Sequence, residues 1–485
     1  MAHSQTAGWG GKVVVSETAD VVVVGAGVAG LAAAAALSGA GARVVLLERK
    51  PYVGGRAYSY LHPALNEVID SQHVLLGCCT NLVDLCRLAG TERKIRWYDA
   101  IPFLEPGRDG GEAQRSDLVP GELPSPAHSM VSFLGAPMLG VRDKAGIARG
   151  LMEFMRGIPN GDDEAFSEWV RRTGQTERAV KRFWVPIIVS TLNDTFERTS
   201  TRYAAKVMYE SLLKSASGGR MGVPAEPMSE FYAALAGLAQ QQGTELRLRE
   251  SVERIERAEG AWRAVLSGGE VVSGKAMVLA LPFEEAQKLL GTIAQPSAEQ
   301  RAVMKGFAEF VHAPITTIHL WLDREVTEIE QAALLDTRIQ WMFHKSRIRR
   351  SASGEHYYEL VISASHAELK KTREEILSSA IEELKSFFPA AGEARVVRAG
   401  VLKEARATFS VTPGLERFRP EPDACGDGLY LAGDWTKTDW PSTMESAARS
   451  GRIAAERVAR AAGGKQQFLT PELPLRGLMK VIARG

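Results

Sequence analysis

Twenty-two consecutive residues of this 485-residue chain, Val21 to Ala42, carry no charge. A run of that length can cross a bilayer, so what it folds into decides the class of the whole molecule. Its make-up speaks against a span. It consists largely of Val, Ala and Gly rather than Leu, Ile and Phe, and five of its residues are glycine. Four valines, Val21 to Val24, precede a glycine-rich turn, and a helix-prone run to Leu37 is punctuated by Gly39 and Gly41. Arg43 to Leu47 then forms a second apolar run that closes on Glu48. This order reads as strand, turn, helix, strand, with the first strand buried on both faces of a parallel sheet.

The turn, Gly25-Ala26-Gly27-Val28-Ala29-Gly30, is a GxGxxG. Gly25 allows the tight turn, Gly27 lets backbone approach a pyrophosphate, and Gly30 permits close helix–strand packing. The helix N-terminus offers unpaired N–H groups to phosphate, and Glu48 can accept hydrogen bonds from ribose hydroxyls. A lone GxGxxG is weak, since a glycine turn without a ligand is the bland alternative. Strand, turn, helix, strand and acid in order within about 30 residues is the context that makes it a dinucleotide site.

Composition excludes several other classes. An apolar share of 45% rules out wholesale disorder, and the length suggests two or three domains. A net charge of +1 offers no field for a polyanion, so no nucleic-acid partner is expected. Cys78, Cys79, Cys86 and Cys425 lack metal-site spacing, which argues for a reducing compartment and against structural zinc. There is no HExxH and no GxSxG. The first 19 residues show no secretory signal and read as a frayed end.

Further motifs follow: Gly54-Gly55-Arg56, then Leu429-Tyr430-Leu431-Ala432-Gly433-Asp434, then Pro441-Ser442-Thr443-Met444-Glu445 opening an alanine-rich helix to about Ala462. Between them, Leu246-Arg247-Leu248 and Ser251 to Ile255 read as a strand pair, continued by runs to Pro282. The combination resembles the flavin amine oxidase and phytoene desaturase superfamily. The resemblance implies FAD, with Gly54, Gly55 and Arg56 along its pyrophosphate and Gly433 and Asp434 at its ribityl and phosphate groups. It also places Thr443 and Met444 at the flavin's N1–O2 edge and the Val252 backbone at the adenine. Ala29 and Arg49 complete the expected contacts.

Asp70-Ser71-Gln72-His73-Val74-Leu75-Leu76-Gly77, Leu123-Pro124-Ser125-Pro126, Arg182-Phe183-Trp184-Val185-Pro186, Leu192-Asn193, Ile339-Gln340-Trp341-Met342-Phe343 and a tail containing Leu473 to Met479 stand out. Together they resemble the squalene-associated FAD-dependent desaturases, or hydroxysqualene dehydroxylases. That resemblance implies a C30 polyprenoid substrate and reductive dehydroxylation of hydroxysqualene to squalene. Carotenoid-type desaturation is the alternative, and a flavin amine oxidase or a non-catalytic FAD scaffold ranks behind it. Gln72 and His73 are expected beside the flavin, with His73 as general acid or simply as a hydrogen-bonded wall residue. Asp194, Tyr203 and Glu404 are weaker candidates. No metal is expected. Without a second nucleotide fingerprint, NAD(P)H binds by other means or a separate reductase supplies electrons.

The expected architecture is α/β. A Rossmann-like FAD-binding domain (19–75, 241–300, 398–463) interleaves with a mixed α+β substrate-binding domain (76–240, 301–397). Residues 464–485 form an amphipathic tail, with Leu475, Leu478, Met479 and Ile482 on one face and Arg476, Lys480 and Arg484 opposite. Such a helix suits anionic lipid, though docking on the protein's own core fits equally well. With Met130 to Val141 and the continuation to Met155, it suggests a cytoplasmic protein peripheral on the inner face of the membrane. The basic run Lys345 to Arg350 reads as a solvated hairpin loop.

Overall fold

The computed structural model describes residues 18–351 and 354–483. Of the frayed end expected over the first 19 residues, residues 1–17 lie outside the described residues, as does Arg484 of the tail, while Ala19 already belongs to the first strand. The uncharged run is strand, turn and helix: β1 (Ala19–Val24), α1 (Val28–Gly39) and, beyond Arg43, β2 (Val44–Glu48). Among the described residues no helix is long and apolar enough to cross a membrane.

β1 pairs in parallel with β2 on one side and with Val271–Leu279 on the other. Val22 and Val23 are fully buried, which explains a run without alternation. The sheet continues outward from β2 to Glu245–Leu248, and from Val271–Leu279 to Ala261–Leu266 and then Val252–Ala258; Leu429–Leu431 joins Val271–Leu279 in parallel. α1 packs between the helix Met228–Gln241 and the long helix α2 (Met444–Ala461). At Gly451 of α2 an added Cβ would lie 2.1 Å from the Ala29 carbonyl oxygen, so these small-residue helices meet backbone to backbone.

A second seven-stranded sheet carries the other half of the molecule. Its order is Val396–Phe409, His312–Leu322, His356–Ser363, Trp341–His344, Gln331–Leu334, Ile101–Glu105 and Gln114–Leu118. All pairings are antiparallel except that of Gln331–Leu334 with Ile101–Glu105.

Several expectations need correction. Leu246–Leu248 and the strand after Val252 are not a pair but opposite edges of the first sheet, because Glu245–Leu248 follows the crossover helix and joins β2 in parallel. The third piece of the FAD domain starts later than 398, since Val396–Phe409 pairs with His312–Leu322 in the second sheet. The second piece starts before 241, since the helix Met228–Gln241 shares the core of α1. The tail is not one amphipathic helix: only Met479–Ile482 is helical. Pro471 and Pro474 lack the N–H a helix needs, and Gly477 turns at φ +52° against Pro124 and Ser125. Leu475 and Met479 pack into the core while Leu478 and Val481 face solvent. The helix Val141–Met155 likewise buries Ile147 and Phe154 in the protein's own core.

Candidate active site

Fifteen of the sixteen residues expected at the cofactor line one cavity of about 1020 Å³ between the two sheets. Gly30 is the exception, and its geometry explains why. A Cβ there would lie 1.8 Å from the Gly25 carbonyl oxygen, so this glycine serves packing behind the wall.

The cavity's cofactor end is made largely of backbone. Gly25 sits at φ +101°, where an added Cβ would lie 2.5 Å from the Ala280 carbonyl oxygen. A Cβ on Gly27 would meet only the Gly55 Cα, at 3.8 Å. The glycine turn and the Gly54-Gly55 turn therefore face each other with no side chain between them. α1 starts at Gly27 without a side-chain cap, leaving its first N–H groups open to an anion. Glu48 is buried and accepts from the Ala26 N–H at 2.8 Å and the Lys50 N–H at 2.9 Å, which fixes its carboxylate at the mouth of the turn. Asp434 accepts from Arg56 at 2.5 Å and from Ser442 Oγ at 2.6 Å. Thr443 caps α2 by accepting from the Ser446 N–H, so the positive end of an 18-residue helix opens on the cavity. Val252 and Arg49 line the same cleft. This cradle fits a pyrophosphate and a flavin: close backbone, two helix N-termini and a fixed acid.

The other end is apolar, with Phe103, Leu118, Ile187, Met208, Trp341 and Phe343 in its wall. Trp341 and Phe343 stack at 5.9 Å, and the indole N–H donates to Ser190 Oγ at 2.7 Å. With its one polar atom satisfied, the indole presents only hydrocarbon.

His73 and Gln72 stand where the two ends meet. His73 Nδ1 lies 2.5 Å from the Ser71 carbonyl oxygen. A carbonyl only accepts, so Nδ1 carries the proton and Nε2 of the neutral ring is an acceptor. Burial pushes the ring's pKa below its ordinary value, against the pull of Asp70. The general-acid role expected for His73 is therefore not the one its surroundings favour: they make it a hydrogen-bonded wall residue, neutral, with Nε2 as its acceptor nitrogen. Gln72 is tied at both ends, its oxygen accepting from Lys345 Nζ at 2.5 Å and its amide donating to the His73 carbonyl at 2.8 Å. Asp194 and Tyr203 do not line the cavity. Asp194 is held by Arg198, Ser410 and the Thr195 N–H, and the Tyr203 hydroxyl by Glu416 and Arg419. Glu404 does line it.

Behind Gln72 lies a buried ionic cluster that the sequence hid. The basic run is not a solvated loop: Lys345–Arg349 is a short helix, and Lys345 is only 2% exposed. Its Nζ lies 3.5 Å from Asp70 Oδ1 and 3.2 Å from Glu359 Oε2; Arg349 reaches Asp70 at 3.5 Å. Burial opposes ionisation of Asp70, but Lys345 and Arg349 outweigh it and hold the carboxyl well below its usual range. Glu359 goes the other way. Burial pushes it up to about 7, with Lys345 resisting and Asp70 adding to the rise. The Gln72 N–H donates to Glu359 at 2.5 Å, so the cluster directly holds the wall that carries Gln72 and His73. The compact Asp70-Ser71-Gln72-His73 segment was the visible half of this arrangement; Lys345 and Glu359 carried no local signal.

A model of the flavin-containing amine oxidoreductase family matches residues 28–459. The chain belongs to that family. It is a flavin-dependent oxidoreductase, and its cofactor is FAD. It is 24% identical over 465 residues to the 15-cis-phytoene desaturase of Solanum lycopersicum, covering 90% of this chain and 77% of that one. To the zeta-carotene desaturase of Synechocystis sp. it is 25% identical over 482 residues, covering 90% and 96%. Among solved structures it resembles putrescine oxidase bound to putrescine, with TM-score 0.67, 16% identity and coverage of 92% and 99%. Cyclohexylamine oxidase from Brevibacterium oxydans gives 0.65, 18%, 92% and 100%. These likenesses confirm the α/β fold with its parallel and antiparallel sheets.

Proposed function

We propose that this oxidoreductase moves a hydride between FAD and a long isoprenoid chain, and that the reaction is reductive dehydroxylation of hydroxysqualene to squalene. The observation that carries the reading is the continuity of the cavity, in which a cradle for pyrophosphate and flavin opens into a wall of hydrocarbon. Bound FAD supplies hydride exchange at its N5. The chain's own residues do the rest. Trp341 and Phe343 exclude water and hold an apolar chain, and the cation-bearing cluster behind Gln72 and His73 keeps that wall rigid. The substrate alcohol loses hydroxide and gains hydride at the same carbon; a proton converts the hydroxide to water, and NAD(P)H or a partner reductase replaces the electrons. The QHVLLG, FW-x-P and QWxF segments support this branch.

Carotenoid-type desaturation is the second reading, supported by the neutral His73, whose Nε2 is an acceptor nitrogen, and by the named activities of the desaturase relatives. One pair of assays separates the two. FAD-loaded protein receives hydroxysqualene with NADPH anaerobically, and separately phytoene or squalene with an electron acceptor. Squalene in the first supports dehydroxylation; a conjugated polyene in the second, with none of the first, overturns it.

The substrate's insolubility suggests a membrane dock, and the two apolar stretches converge where one would sit. The Leu478 N–H donates to the Ser125 carbonyl at 2.8 Å, bringing exposed Leu478 and Val481 beside the segment that exposes Met130, Val131 and Leu134. Pro120, His128 and Ser129, just before that exposed stretch, line the cavity, which supports a dock close to the substrate's way in. The reading is peripheral association with the cytoplasmic membrane face. Anionic vesicles should sediment the wild type, and Val131→Asp with Val481→Asp should leave it in solution with its flavin absorbance intact; equal sedimentation of both would discard the dock.

A further inference from the structure

A second constellation lies outside the cavity, at the foot of the connection that carries Lys345 and Arg349. Glu325, just past His312–Leu322, His344, which ends Trp341–His344, and His356, which begins His356–Ser363, each offer a ligand atom, all within 4.8 Å of one another. Strand pairing of Trp341–His344 with His356–Ser363 brings the two histidines together. Glu325 Oε1 is 3.7 Å from His344 Nδ1.

His344 makes this more than proximity. It is fully buried, and neither ring nitrogen makes a hydrogen bond of good geometry, although the Thr327 backbone lies close enough to favour a proton on the ring. One face stacks on Tyr358 at 4.2 Å, which satisfies the carbon framework but not the nitrogens. An unpaired buried polar group costs free energy.

We propose that Glu325, His344 and His356 bind one zinc-class divalent cation, with water completing a four-coordinate site. Two imidazoles and a carboxylate are a donor set zinc accepts, at about 2.0–2.2 Å from the ion. Such ligands sit roughly 3.3 Å apart in a tetrahedron, so small side-chain rotations close the present spacing. Arg347 donates to both Glu325 oxygens, and each oxygen keeps a second lone pair. Hydrogen-bonded carboxylates are common around bound metals. The ion ties the end of Trp341–His344 to the start of His356–Ser363, next to the residue that holds Gln72.

FAD-loaded protein, dialysed against chelator and then titrated with zinc, should take up one zinc per chain by elemental analysis. His356→Gln and Glu325→Gln, both at partly exposed positions, should each weaken zinc binding by about tenfold or more, while His62→Gln, away from the site, should not. Flavin absorbance checks that each variant is folded. No zinc uptake by the wild type, or uptake unchanged in both ligand variants, overturns the site.

Discussion

The two ends of the cavity are built by different means. At the cofactor end the ligand-facing surface is backbone, shaped by Gly25, Gly27, Gly54 and Gly55 and by two helix N-termini. At the junction with the apolar chamber it is a wall stiffened from behind by Asp70, Lys345 and Glu359. A backbone site depends on what is missing from a side chain, so it tolerates almost no substitution. An ionic wall depends on charges balancing, and its failures should be graded.

The largest effect is expected at Gly30. A methyl there would occupy the space of the Gly25 carbonyl oxygen, 1.8 Å from the Cβ position, and both groups are rigid main chain. Gly30→Ala should therefore lose soluble, flavin-loaded protein altogether, as read from yield and visible absorbance. A soluble yellow variant would show that the turn can shift.

Lys345→Met should come next. It leaves Asp70 and Glu359 buried with only Arg349, at 3.5 Å from Asp70, as a nearby cation. Breaking a buried ion pair costs about 3–5 kcal/mol, and protonation of Glu359 places this case at the lower end. Denaturant titration of the two proteins checks the loss; equal midpoints would mean that the cluster is not a stabilising wall.

Legibility in the sequence follows the same division. The glycines, Glu48, Asp434 and Thr443 could be read because each lies in a contiguous motif whose spacing is dictated by one helix or turn. Lys345 could not. Its partner Asp70 is 275 positions away, and a run of six residues with four cations looks the same whether one of them points inward or none does. The C-terminal tail was half legible: its apolar spacing is real, but Pro474 and Gly477 stop the helix that the spacing implied. The strand at Val396–Phe409 was assigned to the wrong domain because strand identity says nothing about which sheet receives it.

Glu359 sharpens the contrast through pH. Its carboxyl is raised from 4.5 to about 7, so between those values the folded protein holds a proton that the unfolded chain has released. Folding is then favoured by protonation: this contribution is full below about 4.5 and is lost as pH rises through about 7. Asp70, held low, works in the opposite sense and loses its contribution only on acidification. Glu359→Gln should flatten the fall in stability from pH 5 to 7 by up to ~2 kcal/mol, one pKa unit being worth about 1.4 kcal/mol and the group being half titrated at pH 7. Measuring unfolding free energy at several pH values in both proteins checks this, and parallel curves would remove Glu359 from the wall's energetics.

Gly27→Ala should have the smallest effect on the fold and still damage the site. The added methyl meets only the Gly55 Cα at 3.8 Å, an ordinary contact, and φ −78° at this position suits alanine. The FAD-free protein should unfold at the wild-type temperature. Yet the methyl adds bulk to the glycine turn, whose backbone a pyrophosphate must approach. FAD affinity should fall by about tenfold or more, since 1.4 kcal/mol of lost contact is enough for that. Titrating FAD into both stripped proteins by fluorescence quenching gives the ratio. If Gly27→Ala binds FAD as the wild type does, the phosphates sit elsewhere and the cofactor end is not the backbone-built half of this pair.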